Sequence, residues 1–412
     1  MSALVVVAFL SAADAPVCAA TTSTVAGDLD PQHGTAPEYG RFQDDALVRK
    51  GEFFGSIEIP ETGVSIRIGG YVNLDIVHDI DSLGFADFVV PTTIPIDGTL
   101  LDGTSQTVFS ARTSRINFDV RGRSPLGEVR AFVEADFLGD GSELTSTYTF
   151  QLRHAAAQVG HLYFGQWWSS FVDVGAIPEG ANAPLGALTL RQPGLRWGQN
   201  LGDSFRIVVA AESPAGSLTS EAAPLAAESV PDFSGYAQFR TRLLRFRLSG
   251  LFRRLESESD DALVGGLSAS GRVQLPFLGV HDNLAFQGQF GEGLSRYYQS
   301  FAASGLDAVV TEAGDVRPIG VVAGYVAYQH WWSERWRSSI VASALDFDLP
   351  SEAAGDTFQS GQFYSLNLYW SPVDRVTLGL DGSYARRRDA DGKEGSGVRV
   401  GGTARLNFWP RS

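Results

Sequence analysis

The feature that most restricts this chain is a two-residue alternation that starts at Val64 and recurs to the last segment. Val64, Ile66, Ile68, Gly70, Val72, Leu74 and Ile76 share one face, and Ser65, Arg67, Gly69, Tyr71, Asn73 and Asp75 share the other. Side chains of an extended chain point alternately to opposite faces, so this segment reads as a strand with one apolar and one polar side. Val129 to Phe137 and Leu244 to Arg253 repeat the texture, as do Val398 to Phe408. The pattern predicts sixteen strands: 64–77, 110–122, 128–138, 149–160, 161–169, 191–199, 204–212, 232–241, 243–255, 262–276, 282–293, 318–331, 335–347, 359–370, 374–386 and 396–409.

Ten alternating residues also occur in soluble sandwiches, so the links between segments matter more. After each even-numbered segment the link is tight, as at Ser124-Pro125-Leu126-Gly127, Trp332-Ser333-Glu334 and Ser371-Pro372-Val373. After each odd-numbered segment it is longer, up to His78–Phe109. This sorting belongs to transmembrane barrels, with short periplasmic turns and long extracellular loops. Trp197, Trp331, Trp332, Trp336, Trp370 and Trp409 fall at the short-turn end. Indole rings collect where hydrocarbon meets headgroups, although they also stack in ordinary cores. Beyond the first twenty residues no stretch approaches the roughly 18 apolar residues of a spanning helix. The expected fold is all-β: a transmembrane antiparallel up-and-down barrel of about sixteen strands over residues 63–409, wide enough for an aqueous lumen.

Residues 1–20 read as a secretory signal, with an apolar run from Leu4 to Leu10 and small residues around Val17-Cys18-Ala19-Ala20. A lipid-modified Cys18 is the weaker alternative, because Ala-Pro-Val precedes it poorly. Residues 21–62 are polar and read as a loosely structured periplasmic arm with a short helix near Asp44 to Lys50. Cleavage after Ala19 or Ala20 removes the single cysteine, so disulfides are not expected to brace the mature chain. The formal charge of −15 argues against a nucleic-acid partner, which needs a basic face.

Three stretches resemble the DcaP-type trimeric porins: Gly55-Ser56-Ile57-Glu58-Ile59-Pro60 with Gly69-Gly70-Tyr71-Val72; Ala111 to Asp119; and Arg153-His154-Ala155 with Gly165-Gln166-Trp167-Trp168-Ser169-Ser170-Phe171-Val172-Asp173 and Arg191-Gln192-Pro193. They cover about the first third of the barrel. The resemblance implies an outer-membrane homotrimer for passive diffusion of small hydrophilic solutes, often dicarboxylic anions. It also implies a long third loop, here residues 170–190, folded into the lumen as a constriction. Outer-membrane lipid and lipopolysaccharide are the other expected partners. Two departures stand out: Thr21 to Gly51 shows no coiled-coil heptads, and Phe408 is followed by Trp409-Pro410-Arg411-Ser412 instead of ending the chain.

The basic residues are nearly all arginine, with Lys50 and Lys393 the only lysines. Arg67, Arg115, Arg121, Arg130, Arg153, Arg206, Arg240, Arg245, Arg247, Arg253, Arg272, Arg399 and Arg405 stand on polar faces. The acids there are fewer: Asp75, Asp119, Glu128, Glu134, Asp136 and Asp381. Guanidinium forks onto carboxylate and keeps its charge, which suits an anion path. The same arginines could instead pair with wall acids and stiffen the barrel. The candidate pore-lining set is Arg67, Arg115, Arg121, Arg130, Arg153, Arg245, Arg247, Asp119, Glu134, Trp167, Asp173 and Glu179. An enzymatic barrel would need a nucleophile beside a histidine with an orienting partner. His33, His78, His154, His161, His281 and His330 show no such spacing, and Gly265-Gly266 and Gly401-Gly402 lack a strand–helix setting. No catalytic residue, metal or cofactor is expected. A plugged receptor or adhesin is disfavoured, since little precedes residue 63 to form a plug.

Overall fold

A computed structural model of the chain describes residues 49–84, 88–142, 145–180, 182–220, 228–279 and 281–409. The signal, Cys18, His33 and most of the arm lie outside these residues, as does the end from Pro410. Among the described residues sixteen long strands form one antiparallel sheet: β1 Val64–Asp81, β2 Arg115–Ser124, β3 Gly127–Asp136, β4 Gln151–Val159, β5 Leu162–Trp168, β6 Arg191–Leu201, β7 Phe205–Glu212, β8 Asp232–Arg240, β9 Leu244–Glu256, β10 Asp261–Gln274, β11 Asn283–Glu292, β12 Gly320–Trp331, β13 Trp336–Asp348, β14 Phe358–Trp370, β15 Val376–Asp389 and β16 Glu394–Asn407. Each strand pairs with the next in sequence, and β16 returns to β1 with Thr403 opposite Asp75, so the barrel is closed. Closure leaves no unsatisfied sheet edge to face lipid.

The two faces of the strands are used in the opposite sense from a soluble protein. Apolar positions point outward, with Val72 57%, Leu366 61% and Leu380 65% exposed, while polar Asn73 and Ser268 are buried inside. Exposed apolar surface running around the whole wall is far beyond the few hundred Å² that soluble monomers tolerate. This wall is therefore built for hydrocarbon. At the short-turn end Trp336 and Trp370 stack outward at 5.4 Å, and nearer the long-loop end Tyr364 and Tyr384 pair at 6.4 Å.

The short links run two to five residues, except residues 275–282 before β11. The long-loop side is less uniform than the sequence implies. Residues 257–260 and 390–393 are as brief as the turns, because the long hairpins β9–β10 and β15–β16 absorb their loops into ladder pairing. The second strand begins later than predicted, at Arg115, and a short extra strand precedes it. Gln106–Ser110 pairs with the upper part of β1, and Thr113 and Ser114 turn the chain by bonding Asp75 and Asn73 before β2 begins.

The short helix expected near Asp44 to Lys50 lies mostly outside the described residues; its last two, Arg49–Lys50, are extended and pair with Ile57–Ile59, which continues onto β1. Phe53 in this hairpin lies under the guanidinium of Arg121 at 4.3 Å, and Phe54 meets Trp409 edge-on at 5.9 Å. The apolar core belongs to the loops. Leu83 and Ile94, Phe171 and Leu188, and Tyr297, Phe301 and Leu306 come from three different long loops and pack inside the barrel with Phe347 and Phe358.

Candidate functional site

Residues 169–190 leave β5 and rejoin the wall at β6, yet they touch strands on the far side of the lumen. Asp173 caps the short 3₁₀ turn Val174–Ala176 by accepting the Gly175 N–H. Its carboxylate accepts two bonds from Arg245 on β9, at 2.5 and 3.0 Å, and one from Ser270 on β10 at 2.6 Å. Burial alone pushes this loop carboxyl up, but Arg245 and Arg247 outweigh it and hold the group at about 2. Glu179 accepts two bonds of 2.5 Å from Arg337 on β13, and Asn367 on β14 donates to its backbone carbonyl. Arg337 itself lies between the rings of Trp331 and Tyr369, at 5.4 and 5.3 Å. Further along, the Leu185 N–H donates to Ser343 and the Leu188 N–H to Gln287. Between these, Gly186 presses on the β12 backbone so closely that a β-carbon there would lie 2.6 Å from the Gly324 nitrogen.

On the short-turn side of this loop lies a cavity of about 710 Å³. Among the described residues ten arginines line it, against two carboxylates, Asp173 and Glu179, both from the loop. Arg130, Arg245 and Arg247 belong to the sequence-derived pore set, and Arg206, Arg240, Arg272 and Arg405 stand on the polar faces already read as inward. Arg196, Arg242 and Arg337 complete the ten. Parity could have found two of them, since Arg196 alternates with outward Leu195 and Trp197 and Arg337 follows outward Trp336. Arg242 sits in a turn, where no alternation exists to read. Trp167, Trp168, Tyr163 and Tyr236 add flat surfaces, and Arg196 lies over the Tyr163 ring at 4.9 Å. Arg247 lies over the Tyr236 ring at 3.4 Å.

The other candidates gather in two wall clusters, of which Arg130 alone also lines this cavity. Arg67, Arg121 and Arg130 converge on Asp119, at 3.6, 2.7 and 2.8 Å. Arg115 and Arg153 share Glu134 and Asp136, with Arg153 at 3.0 and 2.7 Å. Arg153 is 1% exposed and Arg115 6%, so these two serve as buried wall cations. Of the candidate set, Arg130, Arg245, Arg247, Trp167, Asp173 and Glu179 line the cavity, whereas Arg67, Arg115, Arg121, Arg153, Asp119 and Glu134 do not. Arg387, just beyond the predicted fifteenth segment, lies within β15 two residues before its end and turns inward, bonding Asp389 and the carbonyls of Thr92 and Ile94.

Among the described residues, two histidines are fixed by their neighbours. His154 lies against Trp167 with ring centroids 4.0 Å apart, tilted by 36°, and is buried. His330 meets Asp282 at 2.7 Å, and the same carboxylate also takes the Tyr328 hydroxyl and the Trp331 N–H, which clamps the turn before β11 to β12.

No protein-family model matches the sequence, and no curated protein matches it closely enough to count as a relative. Solved structures do match in shape. The chain is similar to the outer-membrane channel DcaP of Acinetobacter baumannii, with TM-score 0.75 and 20% identity over 84% of this chain and 98% of that one. It is similar to an anion-selective porin from Comamonas acidovorans, with TM-score 0.56 and 12% identity over 84% of this chain and all of that one. It is also similar to OmpT, an outer-membrane protein of Vibrio cholerae, with TM-score 0.54 and 10% identity over 85% and 99%. With its closed wall, outward apolar face and nearly full-length superposition, the chain has the sixteen-stranded barrel fold of outer-membrane channels.

Proposed function

We propose that the chain is a porin of the outer membrane that passes small hydrophilic solutes by diffusion and favours anions. The observation that carries this reading is the cavity beneath the inward loop, where ten guanidinium groups outnumber two carboxylates, which Arg245 and Arg337 already hold. Charges on a narrow, low-dielectric path act on a passing ion far more strongly than charges on outer loops, which salt screens within about 10 Å. The net −15 of the chain is thus a poor guide to selectivity. The Comamonas neighbour is itself an anion-selective porin, which agrees with this reading. Residues 170–190 act as the constriction, residues 1–20 as the signal, 21–62 as the periplasmic arm and 63–409 as the barrel. The oligomer is a homotrimer, joined through the apolar outward faces of β1, β2 and β16, on the last strand from Val398 onward. Dicarboxylates are the preferred class, because paired arginines bind carboxylates in two places.

Single-channel recording in planar bilayers under a salt gradient tests the reading. A reversal potential on the anion side supports it, and a cation-side potential or the absence of channels overturns it.

A further inference from the structure

The outer wall of β13 to β16 changes character within two steps of the ladder. Tyr364 on β14 lies opposite Tyr384 on β15, and the next outward-facing pair toward the long loops is Gln362 with Arg386. One step beyond, the register aligns Asp346, Ser360, Arg388 and Glu394 across four consecutive strands. These positions share parity with Ile340, Leu366, Leu380 and Val400, all exposed on the apolar wall, so they too face outward. Same-face neighbours on a strand lie about 7 Å apart, so Arg386 and Arg388 form a two-tier column directly above the tyrosine pair. Arg386 is steadied by an ion pair with Glu394. Arg388 is exposed and makes no ion pair or hydrogen bond among the described residues.

We propose that this patch docks a phosphorylated glycolipid of the outer leaflet, lipopolysaccharide, with Arg386 and Arg388 holding a lipid phosphate. The choice of leaflet rests on the porin reading, which turns the long-loop end outward. Tyrosine rings sit at the boundary between acyl chains and headgroups, which puts the arginine column at headgroup depth. Guanidinium offers a phosphate two parallel N–H bonds, and at this depth water competes less for them. Ser360, Gln362 and Asp346 flank the column with groups that pair with sugar hydroxyls. A bare run of outward arginines would invite any anionic lipid. This one is ringed by neutral and acidic groups, which suits a headgroup carrying both phosphate and sugar.

The test uses the full chain purified in detergent, with purified lipopolysaccharide added and binding read by native mass spectrometry. The wild type binds, and R386A/R388A binds about tenfold more weakly. R335A, on an exposed short turn at the other end, binds as the wild type does. R388A alone, which breaks no hydrogen bond or ion pair among the described residues, shows part of the loss and guards against misfolding of the double variant. Undiminished lipopolysaccharide binding by R386A/R388A overturns the proposal. So does phosphatidylglycerol binding with equal strength and equal dependence on the two arginines, or a loss of trimer in R388A, which would make the patch a subunit contact. Conductance measured on the same proteins separates this outcome from the porin reading, since the variants still form channels if only the docking idea fails.

Discussion

Glu179 and Arg337 are 158 residues apart in the chain and meet through two bonds of 2.5 Å inside the barrel. Six residues earlier Asp173 does the same with Arg245. The inward loop is thus held by its own two acids, each seated on an arginine of the facing wall.

Replacing Glu179 by Gln should free one of these two anchors. Arg337 is 1% exposed, and a buried cation that loses its carboxylate costs about 3 kcal/mol or more. We expect noisier open-channel current and a lower temperature of barrel dissociation on gels. Traces indistinguishable from the wild type would show that the loop is held elsewhere.

Acid should leave the second anchor in place through most of the accessible range. Asp173 is held at about 2, below its ordinary 3.8, so its charge contributes stability above pH 4 that fades only as pH falls through 2. The shift corresponds to roughly 2 kcal/mol at neutral pH. Conductance attributable to loop position should therefore stay level from pH 8 to 4. D173N should show altered conductance across that whole range. A wild-type transition near pH 5 would refute the assignment.

Selectivity should follow the cavity arginines and not the buried wall pairs. R196A/R206A removes two charges from the cavity lining and should move the reversal potential toward cations, with weaker block by succinate. R115A/R153A strips the partners of Glu134 and Asp136 and should chiefly lower the dissociation temperature. If the two double variants exchange these effects, the cavity is not the selective segment.

Barrel and assembly can be checked together. Unheated protein should migrate anomalously on gels, give a β-dominated circular dichroism spectrum and cross-link as a trimer under mild extraction. Monomers alone would remove the trimer while leaving the barrel intact.

Strands and turns were legible in the sequence because alternation and turn chemistry act over a few residues. Val64 to Ile76 states its own two faces, and Pro125-Leu126 its own turn. The lumen was legible in type but not in arrangement. Arg153 and Arg245 look alike on alternating strands, yet one meets Asp136, 17 residues back, and the other Asp173, 72 residues away on a loop. No local pattern encodes which acid reaches which arginine. The same holds for Arg49–Lys50, whose extended form comes from pairing with Glu58 and Ile57 and not from its own propensity.

The contact of Gly186 with Gly324 sets a limit of another kind. Two bare backbones touch there, with no side chain between them to rotate aside. The loop cannot retreat further toward that wall, so its depth in the lumen is fixed by the thickness of a polypeptide. On the porin reading, the mesh of the constriction is then a dimension of the main chain, and a larger side chain at Gly186 would push the loop further into the path.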